Sequence, residues 1–447
     1  MPKLRRPAGG LWDNPDFVRL WTGQSISEFG SQVSQLAIPL LAATGLHASP
    51  LQFSLLGVLG FLPFILFALP AGVWVDRLSR RRILIAGDAA RAALLVLIPV
   101  LWATHTLHLW HLLVLQFVIG IFTVFFDVAY QSYLPSLVER EQLVEGNSKL
   151  QLTVSITQVA GPSASGALIA ALTAPYAILA DAFSFVTSTV FMLRMRHRDE
   201  PHPAAEEGAA KPKMWPEVKE GLRWVVGHRW LRAIAACTGT SNFFSSVLFA
   251  ILVLYAVRNL HLSAFEIGLM FGVGSFGSIL GALVVNRLQR TIGVGRTILL
   301  TAIVFSAGGL AFPLAPKSFP LPLLMVGQML FGFGAVAYNI TQVSLRQAIT
   351  PERLQGRMNA AMRWIVWGTI PLGSLAGGLI ATVYGLRAAL WIGAMGSCFG
   401  FLPILLSSVK SIGAMPEPVD PPTPAQAELA GGIIEGVPLP GPAAADT

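Results

Sequence analysis

Twelve stretches of about twenty apolar residues recur along this chain, and no other feature limits its fold as strongly. They run roughly over 17–44, 51–75, 83–104, 109–134, 147–173, 176–195, 230–258, 264–286, 296–315, 320–346, 356–383 and 387–409. A helix rising about 1.5 Å per residue needs about 20 residues to cross the roughly 30 Å core of a bilayer. Lipid offers no partner to open backbone groups, so such segments cross as helices. The expectation is an all-α integral membrane protein with twelve transmembrane helices, here spans 1 to 12. Composition agrees: 54% of the 447 residues are hydrophobic and 12% charged, where a soluble domain carries roughly 25% charge. A soluble chain of this length would split into two or three domains, and runs this long do not fit them. The net charge of +8 is then a matter of topology, not of nucleic-acid binding.

Twenty-six of the 31 Lys and Arg fall at one end of the spans, with Arg258, Lys317 and Arg387 at the other. Cations are held on the cytoplasmic side, so both termini are expected in the cytoplasm. Cys237 and Cys398 lie in apolar runs and imply no disulfide framework. Lys3, Arg5 and Arg6 precede Pro7 without a directly following apolar core or a small-residue cleavage site, so span 1 itself serves as the insertion signal.

A polar interruption from about His197 to His228 parts the spans into two sets of six. Within it, Trp215, Val218, Leu222, Val225 and Val226 recur at helical spacing, with Lys219, Glu220 and Arg223 between them. That pattern predicts a surface-lying amphipathic helix from Met214 to Trp230. The tail after Lys410 is rich in Pro, Ala and Gly and is expected to be disordered. The resulting division is a cytoplasmic segment 1–16, a six-helix bundle 17–196, a cytoplasmic linker 197–229, a second bundle 230–410 and a tail 411–447.

The two sets repeat each other about 210 residues apart. Ala-Gly72-Val-Trp-Val-Asp76-Arg77 closes span 2, and Gly281-Ala-Leu-Val-Val-Asn286-Arg287 closes span 8. Glu139-Arg140, Asn147 and Gly166-Ala-Leu-Ile-Ala170 around span 5 return as Glu352-Arg353, Asn359 and Gly377-Gly-Leu-Ile-Ala381 around span 11. Duplicated halves joined by a cytoplasmic linker are a transporter layout, with a binding site at the midplane between them.

The link between spans 2 and 3 reads Gly72-Val-Trp-Val-Asp76-Arg77-Leu-Ser-Arg80-Arg81-Arg82. It resembles the hallmark loop G-x-x-x-D-R-x-G-R-R/K of the major facilitator superfamily, with Ser79 in place of the second Gly. The resemblance extends from about Phe17 to Lys410. Leu20-Trp21-Thr22-Gly23-Gln24-Ser25, Asp88-Ala-Ala-Arg91, Phe126-Asp127-Val-Ala-Tyr130 and Asp181-Ala-Phe-Ser-Phe185 look like its drug and siderophore exporter branch, the group of macrolide efflux and enterobactin exporter proteins. The resemblance implies a gate in which Asp76 meets the start of span 11, near Gly356 to Asn359, with Gly72, Arg77, Arg80 and Arg81 in the same motif. A carboxylate at a helix N-terminus gains about 0.3–1 kcal/mol, enough to bias two states. Gly161, Pro162 and Gly166 in span 5 are similar to the superfamily's exporter motif, though the upstream Gly is missing and Ser165 replaces one Gly of the final pair. Its physical basis would be a bend and close helix contact.

Ionisable groups inside spans are costly and mark function. Glu28 lies near mid-membrane, and Gln24, Glu28, Ser31 and Gln35 follow 4-3-4 spacing on one face. This stripe reads as cavity lining, with Glu28 as the proton-coupling or cation-recognising acid. Asp127 is a second candidate, and Asp181 a structural one. Asp88 and Arg91, three apart, form an intramembrane charge pair that fixes packing. Arg363, between Asn359 and Trp367, is a cavity cation suited to an anionic ligand or to a counter-charge. Asn147, Gln151, Ser155 and Gln158 form a polar stripe on span 5, and Asn339, Gln342 and Arg346 another on span 10. His105, His108 and His111 could hold a metal, but near an interface they serve the loop; no metal is expected. With no G-x-x-x-x-G-K loop, ATP is not the engine. The chain is therefore expected to be no enzyme and to need no cofactor beyond a proton gradient. Its expected partners are a small-molecule substrate and the bilayer of a bacterial cytoplasmic membrane, and it is expected to work as a monomer. The expected activity is proton-coupled export of amphipathic molecules, such as drugs, macrolide-like compounds or siderophores. An importer of the same fold, or a transporter-like protein that no longer cycles, are the alternatives.

Overall fold

The computed structural model describes residues 11–139, 142–196 and 214–416, without the side chains of 69, 73, 76, 77 and 214–218. The first half contains α1 (Pro15–Leu40), α2 (Pro50–Arg77), α3 (Arg80–Ala103), α4 (Leu109–Leu137), α5 (Leu143–Leu172) and α6 (Ala174–Leu193). The amphipathic helix α7 (Met214–Gly227) follows. The second half contains α8 (Arg229–Arg258), α9 (Ala264–Ile292), α10 (Val294–Leu314), α11 (Leu321–Ala348), α12 (Glu352–Tyr384) and α13 (Leu386–Phe399), with a last turn α14 (Leu402–Leu405). Spans 7 to 12 are thus α8 to α13, and the fold is all-α.

Among the described residues, ten helices are long and apolar enough to cross a membrane. The two remaining long helices of the bundle, α1 and α5, are the ones interrupted by the polar stripes at Gln24 to Gln35 and Asn147 to Gln158. Each packs among the apolar helices: α1 against α5 and α6, and α5 against α1 and α9. A helix wrapped by protein and cavity has no need of an all-round apolar surface.

Duplication is visible in the packing. The pairs α1·α6, α1·α5, α3·α6, α2·α4 and α3·α4 return in the second half as α8·α13, α8·α12, α10·α13, α9·α11 and α10·α11. The principal contacts between the halves are themselves a symmetric pair, α5 on α9 and α2 on α12. Local signals repeat as well. Ser49 and Gln52 form a capping box at the start of α2, and Ser263 and Glu266 do so at the start of α9, each satisfying two orphan amides. The turn between α12 and α13 passes through Gly385 at φ 89°, and the matching turn between α5 and α6 places Thr173 at φ 68°. A β-branched residue is strained there.

Contacts between the halves gather at the end away from Arg80–Arg82. The Arg258 guanidinium donates to the carbonyls of Ala43 (3.4 Å) and Ala48 (2.9 Å). At Gly166 a Cβ would stand 2.6 Å from the Ala264 carbonyl oxygen, so only glycine lets α5 and α9 approach this closely. At the Arg80–Arg82 end, here the basic end, no described atom beyond their own stretch of helix lies within 4 Å of where a Cβ on Gly72 or Gly356 would stand.

The amphipathic helix α7 lies against α12. Val225 is fully buried, while Leu222 and Val226 are exposed. Glu220 pairs with Arg357 and lies 3.9 Å from Arg353, both near the start of α12. The helix is therefore clamped to α12 and not floating free of the bundle. The expectations for 1–10, for the linker 197–213 and Arg140, and for the tail beyond 416 fall outside the described residues.

Candidate functional site

Arg91 is the electrostatic centre of the first half. It sits one turn after Asp88 on α3, and its Nη2 donates to Asp88 Oδ1. Its guanidinium lies between two rings, 4.3 Å from Phe126 on α4 and 4.2 Å from Phe185 on α6. Arginine tolerates such a sandwich because its planar, weakly hydrated head stacks on aromatic faces. The field of Arg91 reaches Glu28, Asp127 and Asp181 as well as Asp88. Among the described residues the ion-pair partner of Arg91 is Asp88. The charge pair read from the i, i+3 spacing is present.

Two cavities meet at Glu28. One, of ≈ 710 Å³, is lined by Gln24, Ser25, Tyr130, Asn147, Gln151 and Ser155 among others. The other, of ≈ 570 Å³, lies between the halves and is lined by Gln32, Gln35, Gln158, Pro162, Ser275 and Gln328 among others. Glu28 borders both and is the charged residue on either wall. The stripe expected on α1 is rotated by about one residue. Ser31 does not line either cavity; its hydroxyl donates to Asp181 Oδ1 on α6 at 3.4 Å. The reason is local: a short hydroxyl turns to the nearest buried acceptor, and Gly30 beside it lets Ser184 of α6 come close. Gln24 touches the larger cavity while its amide donates to Ser188 Oγ at 3.4 Å. The face that lines the cavities is Ser25, Glu28, Gln32 and Gln35, in 3-4-3 spacing. The α5 stripe borders both cavities, Asn147, Gln151 and Ser155 the first and Gln158 the second.

Asp127 is not on either wall. It stands one turn before Tyr130, which is, and the charges of Glu28 and Arg91 reach it. Asp181 accepts from the hydroxyls of Ser31 and Ser184 and is 2% exposed, a packed position that fits its structural reading. Tyr130, Gln32 and Gln328 are site residues the sequence did not single out, because each needs a helix rotation or a partner half to be placed.

The second half holds two further cavities. Asn339, Tyr338, Asn242 and Thr238 line one of ≈ 430 Å³, where Asn339 accepts from Gln342 at 3.0 Å. Arg363 lines one of ≈ 310 Å³ between α2 and α12. Trp367 borders both. Arg363 lies 4.9 Å from the Trp367 ring, which meets Phe61 of α2 edge-on at 5.9 Å.

The profile of the transmembrane secretion effector family matches residues 12–428. The chain belongs to this family of the major facilitator superfamily. Curated relatives include macrolide efflux protein A of Streptococcus pyogenes, 26% identical over 83% of this chain and 90% of the relative. The multidrug efflux pump Tap of Mycolicibacterium fortuitum is 28% identical over 80% and 87%, and the enterobactin exporter EntS of Escherichia coli 27% over 78% and 81%. Among solved structures, an inward-facing bacterial homologue of the iron transporter ferroportin has 17% identity and a TM-score of 0.67, over 88% of this chain and 98% of that one. The nucleoside transporter NupG has 11% identity and a TM-score of 0.68, over 88% and 98%. Both share the fold. The protein is a multi-span membrane transporter and not an enzyme.

In this major facilitator protein the basic loop has a visible structural duty. Arg81 donates to the carbonyls of Met192 (3.2 Å), Leu193 (3.0 Å) and Met195 (3.5 Å). It thereby satisfies orphan carbonyls at the C-terminal end of α6 and meets the negative end of its dipole. The side chains of Asp76 and Arg77 lie outside what the structure describes, so their gating role stays an expectation. In the exporter-like motif, α5 runs unbroken through Pro162, and the observed effect of the small residues is close contact: Gly161 with Gln32 of α1, and Gly166 with α9. At the start of α4, the His108 amide donates to His111 Nδ1 at 3.0 Å. Among the described residues no three His, Cys, Asp or Glu form a group that could hold a metal.

Proposed function

We propose that the protein is a secondary active exporter of the cytoplasmic membrane, moving amphipathic small molecules outward in exchange for protons by alternating access. The observation that carries this reading is the position of Glu28. It is the charged residue on both the first-half cavity and the cavity between the halves. It lies 13 residues along α1 from Pro15, about 20 Å of helix rise. A carboxylate there can bind a proton in one state and release it in the other, with the field of Arg91 and Asp127 changing as helices shift. Asp127 is the second acid of the relay.

Inter-half contacts at Arg258 and Gly166, with no packing against Gly72 or Gly356 among the described residues, suit a state closed outside and open to the cytoplasm. The excess of Lys and Arg at the basic end supports a cytoplasmic position for that end and for both termini. The walls pair glutamines with Phe249, Phe271 and Phe331, which suits molecules with both polar groups and apolar faces. Relatives whose names specify macrolide efflux, multidrug efflux and enterobactin export support the outward vector. The protein works as a monomer, each copy holding a complete site.

The test is accumulation of a lipophilic dye in energised inverted vesicles, wild type beside Glu28→Gln. Accumulation abolished by a protonophore and by the substitution is expected. Accumulation that survives Glu28→Gln removes Glu28 from the coupling step. Absence of accumulation with any of several dyes that the relatives' substrates resemble would sink the export reading.

A further inference from the structure

We propose that the cavity between α2 and α12 is a binding site for small amphipathic anions, with Arg363 meeting the anionic group and Trp364 and Trp367 the apolar body. The cavity of ≈ 310 Å³ is walled by Phe64, Ile65 and Ala68 of α2 and by Asn359, Ala360, Arg363, Trp364 and Trp367 of α12. Its volume suits a ring system with a single charged substituent.

Three observations point to an anion. First, Arg363 is exposed into this space, and among the described residues no carboxylate pairs with it. Arg91, by contrast, is buried and paired with Asp88. Second, Arg363 is held 4.9 Å from the Trp367 ring. A guanidinium over an aromatic face keeps N–H groups available to donate, as bidentate recognition of a carboxylate or sulfonate requires. Third, Asn359 lies one turn before Arg363 on the same face and supplies a second donor beside it.

The route inward is also defined. Helices α2 and α12 are in contact at the far end, where Ser54 sits against Gly378, and at mid-length, where Phe61 meets Trp367. Trp367 is the wall between this cavity and the ≈ 430 Å³ polar cavity lined by Asn242 and Asn339. Rotation of one indole therefore joins an anion vestibule to the interior of the second half. Arg363 lies 11 residues from Glu352, about 17 Å along α12, a depth close to that of Glu28. Cation and coupling acid thus stand at similar depth on opposite halves, so an anion need not compete with protons for one group.

The test is equilibrium binding to the full-length protein in phosphatidylcholine nanodiscs, using two matched probes, naphthalene-2-sulfonate and 2-naphthylmethylammonium. Wild type is expected to prefer the sulfonate. Arg363→Gln should weaken sulfonate binding about tenfold or more, and Arg363→Lys by less, since an ammonium keeps the charge but not the fork. Ammonium binding should not follow this order. Equal sulfonate affinity in wild type and Arg363→Gln would overturn the proposal. So would loss of the wild-type sulfonate signal when phosphatidylglycerol replaces phosphatidylcholine, which would give the site to a lipid headgroup. The measurement contains no transport step. Failed dye transport with intact Arg363-dependent binding would remove the export reading alone, and normal dye transport with Arg363-independent binding would remove the anion site alone.

Discussion

Arg258 at the end of α8 donates to the carbonyl oxygen of Ala48, 210 residues earlier in the chain, at 2.9 Å. The bond joins the second half to the turn between α1 and α2, and a second one reaches Ala43. A charged donor on a backbone carbonyl contributes about 1.5–3 kcal/mol. That is enough to shift a two-state equilibrium by about tenfold or more.

Arg258→Ala is accordingly expected to open the end away from the basic loop. The reporter is Ser54→Cys, a position 1% exposed beneath Gly378, in a background with Cys237 and Cys398 replaced by Ser. A membrane-impermeant maleimide should label it slowly in the parent and several-fold faster with Arg258→Ala. Unchanged labelling would show that the halves are held by α5·α9 packing instead.

Removing the buried cation of the first half should be severe. Arg91→Ala leaves Asp88 buried without its partner, and breaking such a pair costs about 3–5 kcal/mol. The expected result is a fall in Tm of several degrees, or failure to accumulate in the membrane. Asp88→Asn in the same chain should recover part of the loss, because the unpaired charge is then gone. A double-mutant cycle in detergent measures this coupling. Additive losses would mean that Asp88 and Arg91 act separately.

His228, at the junction of α7 and α8, gives the fold a pH dependence. Its ring centroid lies 5.9 Å from that of Trp224 and 5.7 Å from that of Trp230. Burial, with the positive charge of Arg229 beside it, pushes the imidazole below its ordinary value. The folded state thus holds the neutral ring, while the unfolded chain takes up a proton near pH about 6.5. This contribution to stability is complete above that pH and is lost as pH falls through it towards the folded value. Tm should decline between pH about 7 and about 5, and His228→Gln should make the decline shallower. Equal slopes would take the effect away from His228.

Much of the architecture was legible because bilayer physics writes it into local sequence. The apolar runs announce the helices, the repeat of Gly72–Arg77 as Gly281–Arg287 the duplication, and the cation asymmetry the two ends. The failures are equally physical. Four polar residues at 24, 28, 31 and 35 share one face of α1, and sequence cannot say which edge of that face meets the cavity. Close approach of α6 at Gly30 drew Ser31 to Asp181 and brought Gln32 into its place. Likewise, the polar stripes within spans 1 and 5 find their reason only in the packed bundle, where α1 and α5 lie against other helices and border the cavities.

The sequence by itself determined an all-α membrane transporter of duplicated halves, because span length, cation bias and repeat spacing are properties of the chain read locally. Tertiary structure decided which charges meet. Arg91 of α3 pairs with Asp88 and meets the rings of Phe126 from α4 and Phe185 from α6, while Arg363 stands apart from any described carboxylate. Electrostatic fields act through space, and helices distant in sequence become neighbours only when the bundle packs.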